Sequence, residues 1–177
     1  RHVYRAARDG SGLRPVTQGA FDVIRVSEVD QKGGWLYFIA SPENPTQRYL
    51  YRARLDGTGR PERLTPADQP GTHSYQVAPG GGWAIHTYSR FDSPPVIDLV
   101  ELPSHRSVRV LEENAEVRRN VAALAHPPVE FFRIRHDGID FDAWMLRPPD
   151  FDPAKKYPLL MYVYGEPAGQ TVNDTWG

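Results

Sequence analysis

The chain has no cysteine among its 177 residues, which excludes disulfides, thiolate metal sites and a cysteine nucleophile. It has no apolar run approaching the roughly 18 to 20 residues that span a bilayer. No apolar stretch follows the opening "RHVYRAARDG", so these residues do not form a signal peptide, and export is left open. No charge of one sign dominates: 21 basic and 22 acidic residues leave a formal net charge of −1. That balance offers no electrostatic reason to expect nucleic acid or an anionic membrane as partner. The only tight basic pairs are Arg118-Arg119 and Lys155-Lys156. Gly-x-Ser-x-Gly, the elbow that presents a serine nucleophile in α/β-hydrolases, is also missing.

What the chain does contain is punctuation, with 15 Gly and 17 Pro separating short β-rich runs. One pattern repeats. "HVYRAARDGSGLRPVT" at His2 aligns with "YLYRARLDGTGRPERLT" at Tyr49, so that Tyr4 falls on Tyr51, 47 residues later. Asp9-Gly10-Ser11-Gly12 then falls on Asp56-Gly57-Thr58-Gly59, and a weaker third copy begins at Ile97. Each copy reads as a strand, a Gly-rich turn with φ > 0, and a second strand. Two more strands fill each interval: "FDVIRVSEV" and "WLYFIAS" in the first, "HSYQVA" and "WAIHTYS" in the second. Four strands at this spacing make a β-propeller blade. A sandwich is the rival, but it has no reason to repeat one hairpin at a fixed offset. The expected blades are half a blade over residues 1–17 and two complete ones over about 21–66 and 72–112. Propellers close with roughly four to eight blades, so two and a half read as part of something larger. The half blade is expected to pair Val3–Ala6 with Val16–Thr17 and to leave an edge open to association.

After Glu112 the character changes. Val117, Val121 and Leu124 recur at helical spacing behind Asn114, a candidate N-cap, so a short helix is expected in a linker over 113–128. "AHPP" marks a boundary near Pro127-Pro128. A hairpin follows around Asp137-Gly138. The run Leu159–Tyr164, ended by Gly165, reads as a strand buried on both faces, the kind found in parallel sheets. The expected division is therefore 1–112, the C-terminal part of a propeller; 113–128, the linker; and 129–177, the start of an α/β domain.

"LRPPDFDPAKKYPLLMYVYGEP" resembles the entry into the catalytic domain of the prolyl oligopeptidase family of serine peptidases, most of all its dipeptidyl peptidase IV branch. Upstream, "FDVIRVSEVD", "LYFIAS", "LYRARL", "TYSRFDSPP" and "RVLEEN" resemble the last two blades of that branch's propeller. The resemblance implies an eight-bladed propeller capping an α/β-hydrolase domain. It also implies a Ser-Asp-His triad beyond this chain and an acidic pair, upstream of it, that grips the substrate's amino terminus. The implied activity is removal of dipeptides after Pro or Ala. The alternative is a propeller-based binding or scaffold protein whose hydrolase domain has lost its chemistry.

On its own, Tyr164 reads as a core aromatic. By the resemblance, it is an oxyanion-hole donor, in keeping with a strand end that faces the ligand crevice. Glu166 stands where many relatives carry a small residue and reads as a solvated loop carboxylate, with a substrate or loop-positioning role as the alternative. The Asp-Gly-x-Gly loops lack a following helix and so are turns rather than phosphate cradles. His2, His73, His86, His105, His126 and His136 are scattered, with no pair at metal spacing, so no metal and no cofactor is expected. Ser89 and Ser93 are assigned loop and strand-end roles. Asn173-Asp174-Thr175 fits an N-glycosylation triplet. The expected partners are a peptide substrate and further copies of the chain in a homodimer or oligomer. The compartment stays open between periplasmic or secreted and cytoplasmic.

Overall fold

A computed structural model describes residues 1–124, 127, 129–166 and 169–177. The repeated hairpin is visible at once. β1 (Tyr4–Arg5) pairs with β2 (Arg14–Pro15), and Val16 N–H extends the pairing to the Val3 carbonyl at 2.8 Å. In its turn, the Asp9 carboxylate accepts from Ser11 N–H at 2.9 Å and from Ser11 Oγ at 2.7 Å. Asp56 does the same for Thr58 N–H and Oγ1, at the same two distances. Side-chain carboxylates that bond the backbone two residues on are what makes Asp a turn former. These hydrogen bonds also hold both carboxyls below their ordinary pKa.

Two four-stranded antiparallel sheets follow. The first runs in sequence order through β3 (Val23–Asp30), β4 (Trp35–Ala40), β5 (Tyr49–Arg54) and β6 (Glu62–Arg63). The second repeats the order with β7 (Thr72–Val77), β8 (Trp83–Arg90), β9 (Ser93–Glu101) and β10 (Arg106–Glu112). This is the meander of successive propeller blades, and the third hairpin copy is β9–β10. The sandwich reading has no counterpart here.

The solid apolar sequence of β4 is explained by its neighbours. Leu36, Phe38 and Ala40 point into a core shared with Val16, Tyr49 and Tyr51. Tyr37 and Ile39 point the other way, into a core with Leu50 of their own sheet and Tyr75, Ala84 and Val100 of the next. Alternate side chains of a strand face opposite sides, so a strand covered on both must be apolar throughout. Phe38 and Leu50 are fully buried, which for side chains of this size stabilises by about 1.5–3 kcal/mol each.

α1 (Ala115–Ala122) forms where the sequence leads one to expect a helix. Asn114 holds the N-cap position, its carbonyl accepting from Arg118 N–H at 2.9 Å, but its side chain makes no capping bond. It sits in the left-handed region at φ 50°, and its Nδ2 donates instead to the Pro95 carbonyl at 2.8 Å, tying the helix start to β9. Val117 and Leu124 of the expected apolar stripe are exposed. His126 and Pro128, part of the boundary signal, lie outside the described residues.

β11 (Glu130–His136) and β12 (Ile139–Met145) form the second hairpin in full register. Asp137 and Gly138 both take positive φ, 49° and 78°, as a two-residue turn matching strand twist requires.

Leu159–Tyr164 departs from expectation. These residues form no strand, and their exposure runs from 51% at Tyr164 to 95% at Leu160. A parallel strand exists only through hydrogen bonds to neighbouring strands. No strand among the described residues lies beside this run, so its buried-strand sequence stands uncovered.

Candidate functional site

Tyr164 ends the exposed run with its hydroxyl donating to Glu166 Oε2 at 2.6 Å. The contact to Glu166 raises the Tyr164 pKa, so the phenol is held protonated, as a donor. Gly169 N–H donates to the Glu166 carbonyl at 3.0 Å. The Tyr164 ring lies directly over Gly169, where a Cβ would come within 2.6 Å of Cε1. A side chain at 169 would have to displace the ring from that position. Glu166 is an exposed carboxylate, and the Tyr164 hydroxyl is its hydrogen-bond partner. Pro167 of the Tyr-Gly-Glu-Pro motif lies outside the described residues.

The stretch after Gly169 folds back onto the blades. Asp174 is buried and accepts from Gln47 Nε2 at 2.7 Å and from Phe91 N–H at 2.9 Å. Its own N–H donates to the Thr46 carbonyl at 2.7 Å. Asn173 of the glycosylation triplet is engaged on both sides of its amide: Nδ2 donates to the Gln170 carbonyl and Oδ1 accepts from Arg48 Nη2 at 3.0 Å. Ser89, one of the two serines set aside as structural, is buried here with its Oγ 3.2 Å from Thr175 Oγ1. Ser93 Oγ accepts from Arg118 at 3.3 Å. Sequence reasoning passed over Asp174, because one acid in a polar stretch carries no periodic signal.

A third constellation unites histidines that look scattered in the sequence. Register places Tyr75 of β7 opposite His86 of β8, and His86 opposite Asp98 of β9. His86 Nδ1 lies 2.8 Å from Asp98 Oδ1, and its Nε2 lies 2.8 Å from His73 Nδ1. His73 Nε2 reaches the Gln69 carbonyl at 2.9 Å. The Tyr75 hydroxyl joins Thr65 Oγ1 at 2.8 Å and His105 Nε2 at 2.7 Å. Burial is the main cause that pushes His73 down to about 3 and His105 down to about 4. It pushes His86 down as well, with Asp98 opposing it. The ring nitrogens are turned to one another and to protein oxygens, and no metal-holding group of three exists among the described residues. This is a satisfied polar row inside a blade.

Comparison with known proteins places these features. The family model described as the dipeptidyl peptidase IV N-terminal region matches residues 1–95. The chain belongs to the dipeptidyl peptidase IV family. A probable dipeptidyl-aminopeptidase B of Emericella nidulans is 38% identical over 160 residues, covering 89% of this chain and 18% of that protein. Its counterpart in Aspergillus fumigatus is 33% identical over 176 residues, covering 97% of this chain and 19% of that protein. The crystal structure of Porphyromonas gingivalis dipeptidyl peptidase 4 superposes with a TM-score of 0.87 at 30% identity, over 99% of this chain and 24% of that one. The chain thus spans about a fifth of the length of the curated relatives it matches. The mainly β, blade-like architecture is that of the family. No helix among the described residues is long and apolar enough to cross a membrane.

Proposed function

We propose that the chain is part of a serine-type dipeptidyl peptidase that releases dipeptides from peptide amino termini, with Tyr164 donating to the oxyanion. The observation that carries this reading is the extent of the match. Similarity to proteins named dipeptidyl-aminopeptidase B runs through the blades and on past Tyr164, over 97% of the chain. Residues 1–112 are then propeller, 113–128 the linker and 129–177 the start of the peptidase domain.

In this reading the nucleophile and its base come from elsewhere in the protein, since no Gly-x-Ser-x-Gly occurs in these residues. What the chain supplies is the donor. As the serine adds to the scissile carbonyl, negative charge develops on the carbonyl oxygen, and a preorganised O–H aimed at that oxygen lowers the barrier. Tyr164 begins with its hydroxyl on Glu166. It gives up that acceptor for the oxyanion when the charge forms.

The test is hydrolysis of dipeptidyl chromogenic substrates with Pro or Ala in the second position. The full-length protein should release the chromophore from free amino termini and leave amino-blocked analogues intact, while the 177-residue segment alone shows no turnover. A full-length protein that folds but turns over none of them would be the scaffold of the alternative reading.

A further inference from the structure

The segment Gln170–Trp176 grips two blades at once, and it does so through their equivalent turns. The first is the connection between β4 and β5, where Thr46 and Gln47 are buried. The second is the tight turn between β8 and β9 at Phe91. Each joins the second and third strands of its sheet, so both lie at the same end of the blades. Asp174 is the residue that bonds to both, through Gln47 Nε2 at one and Phe91 N–H at the other. Arg90 stands 3.9 Å from its Oδ2. Gln47 is fixed in turn by the Tyr49 hydroxyl, which donates to its Oε1. The amide therefore has one orientation, with its N–H toward Asp174.

A physical path leads from this joint to Tyr164. Arg48 Nη2 donates to Gln170 Oε1, and Gln170 Nε2 donates to the Pro45 carbonyl at 2.6 Å. Gln170 follows Gly169 directly, and the Tyr164 ring rests on Gly169. The same Phe91 turn that bonds Asp174 also packs its ring against Phe131 at 6.2 Å and Trp144 at 5.3 Å. The hairpin before Tyr164 and the segment after it therefore meet on one blade turn.

We infer that Asp174 is a positioning residue: by clamping the segment 170–176 to adjacent blades, it fixes where the propeller holds the Tyr164 hydroxyl. This rests on the reading of Tyr164 as oxyanion donor. A buried carboxylate with two strong donors is costly to replace, because substitution leaves those donors facing no acceptor. An asparagine retains the shape but presents a donor to one of them.

The experiment is a double-mutant cycle in the full-length protein with Asp174→Asn and Tyr164→Phe, read as kcat and KM, with hydrogen exchange of the Phe91 amide. Asp174→Asn should lower kcat about tenfold with KM changed far less, and should speed exchange at Phe91. In the Tyr164→Phe background it should lower kcat less than about twofold, since the group it positions is already gone. A full tenfold loss in both backgrounds, or kcat unchanged while the Phe91 amide is released, overturns the inference. Gln47→Met, which removes one donor and keeps the volume, gives the same two readouts if Asp174→Asn does not fold. Tyr164→Phe with unaltered kcat would instead sink the oxyanion reading itself, a separate result.

Discussion

Trp35–Ala40 and Leu159–Tyr164 are the same kind of sequence, six apolar or aromatic residues without a break, and they end in opposite surroundings. In the first, Leu36 through Ala40 are buried, with Phe38 at 0% exposure, because strands and a second sheet cover both faces. In the second, every side chain is at least half exposed and no strand pairs with it. An apolar run specifies what a segment needs; the surrounding chain decides whether it is met.

The sharpest way to test the contrast is substitution. Phe38→Ala should cost about 3–5 kcal/mol, read as a lowered denaturation midpoint, because the cavity cannot collapse between two sheets. Leu160→Ala in the 177-residue chain should move stability by less than about 0.5 kcal/mol. In a full-length peptidase whose strands cover the run, the same change should cost about 2–5 kcal/mol. Equal, small effects in both settings would break the comparison.

A smaller effect separates the two blades from each other. The first is filled mostly by carbon, while the second buries His73 and His86 beside Tyr75, Ala84 and Val100, with His105 against them. His73 and His105 stay neutral in the fold to pH about 3 and about 4, while in the unfolded chain they protonate near 6.5. Below about 6.5 the unfolded state therefore binds more protons, and stability is lost as pH falls from there toward 4. Chemical denaturation at pH 7.5 and 4.5 should show a smaller acid loss for His105→Gln than for the wild type. An identical loss would mean His105 takes no part.

The smallest expected change lies at the exposed run. Glu166→Gln weakens the hydrogen bond that raises the Tyr164 pKa, so the phenol should titrate lower, nearer its ordinary value. Ultraviolet difference titration against Tyr164→Phe reads that one phenol, and an unmoved curve would show that Glu166 does not hold it.

Much of this fold was legible in the sequence for a physical reason: turns carry local chemistry. Asp9-Gly10-Ser11-Gly12 and its copy at Asp56 encode their own hydrogen bonds and positive φ, so the hairpins and their 47-residue spacing could be read directly. Asp137-Gly138 announced its hairpin in the same way. The histidine row and the Asp174 joint were not legible. Tyr75, His86 and Asp98 meet only once strand register is set, and Gln47 reaches Asp174 across 127 residues. Asn114 takes the N-cap position that the sequence suggests, but its side chain bonds β9 rather than the helix it precedes.

The most direct measurement is steady-state kinetics of Tyr164→Phe in the full-length protein, with its melting temperature taken alongside. Removing one hydroxyl leaves the ring in place and opens no cavity, so the melting temperature should stay where it is. Losing one oxyanion donor should lower kcat by about 10²–10³. KM should change little, since the bond strengthens only as charge develops. A kcat equal to wild type would contradict the assignment of Tyr164 and return it to the core-aromatic reading.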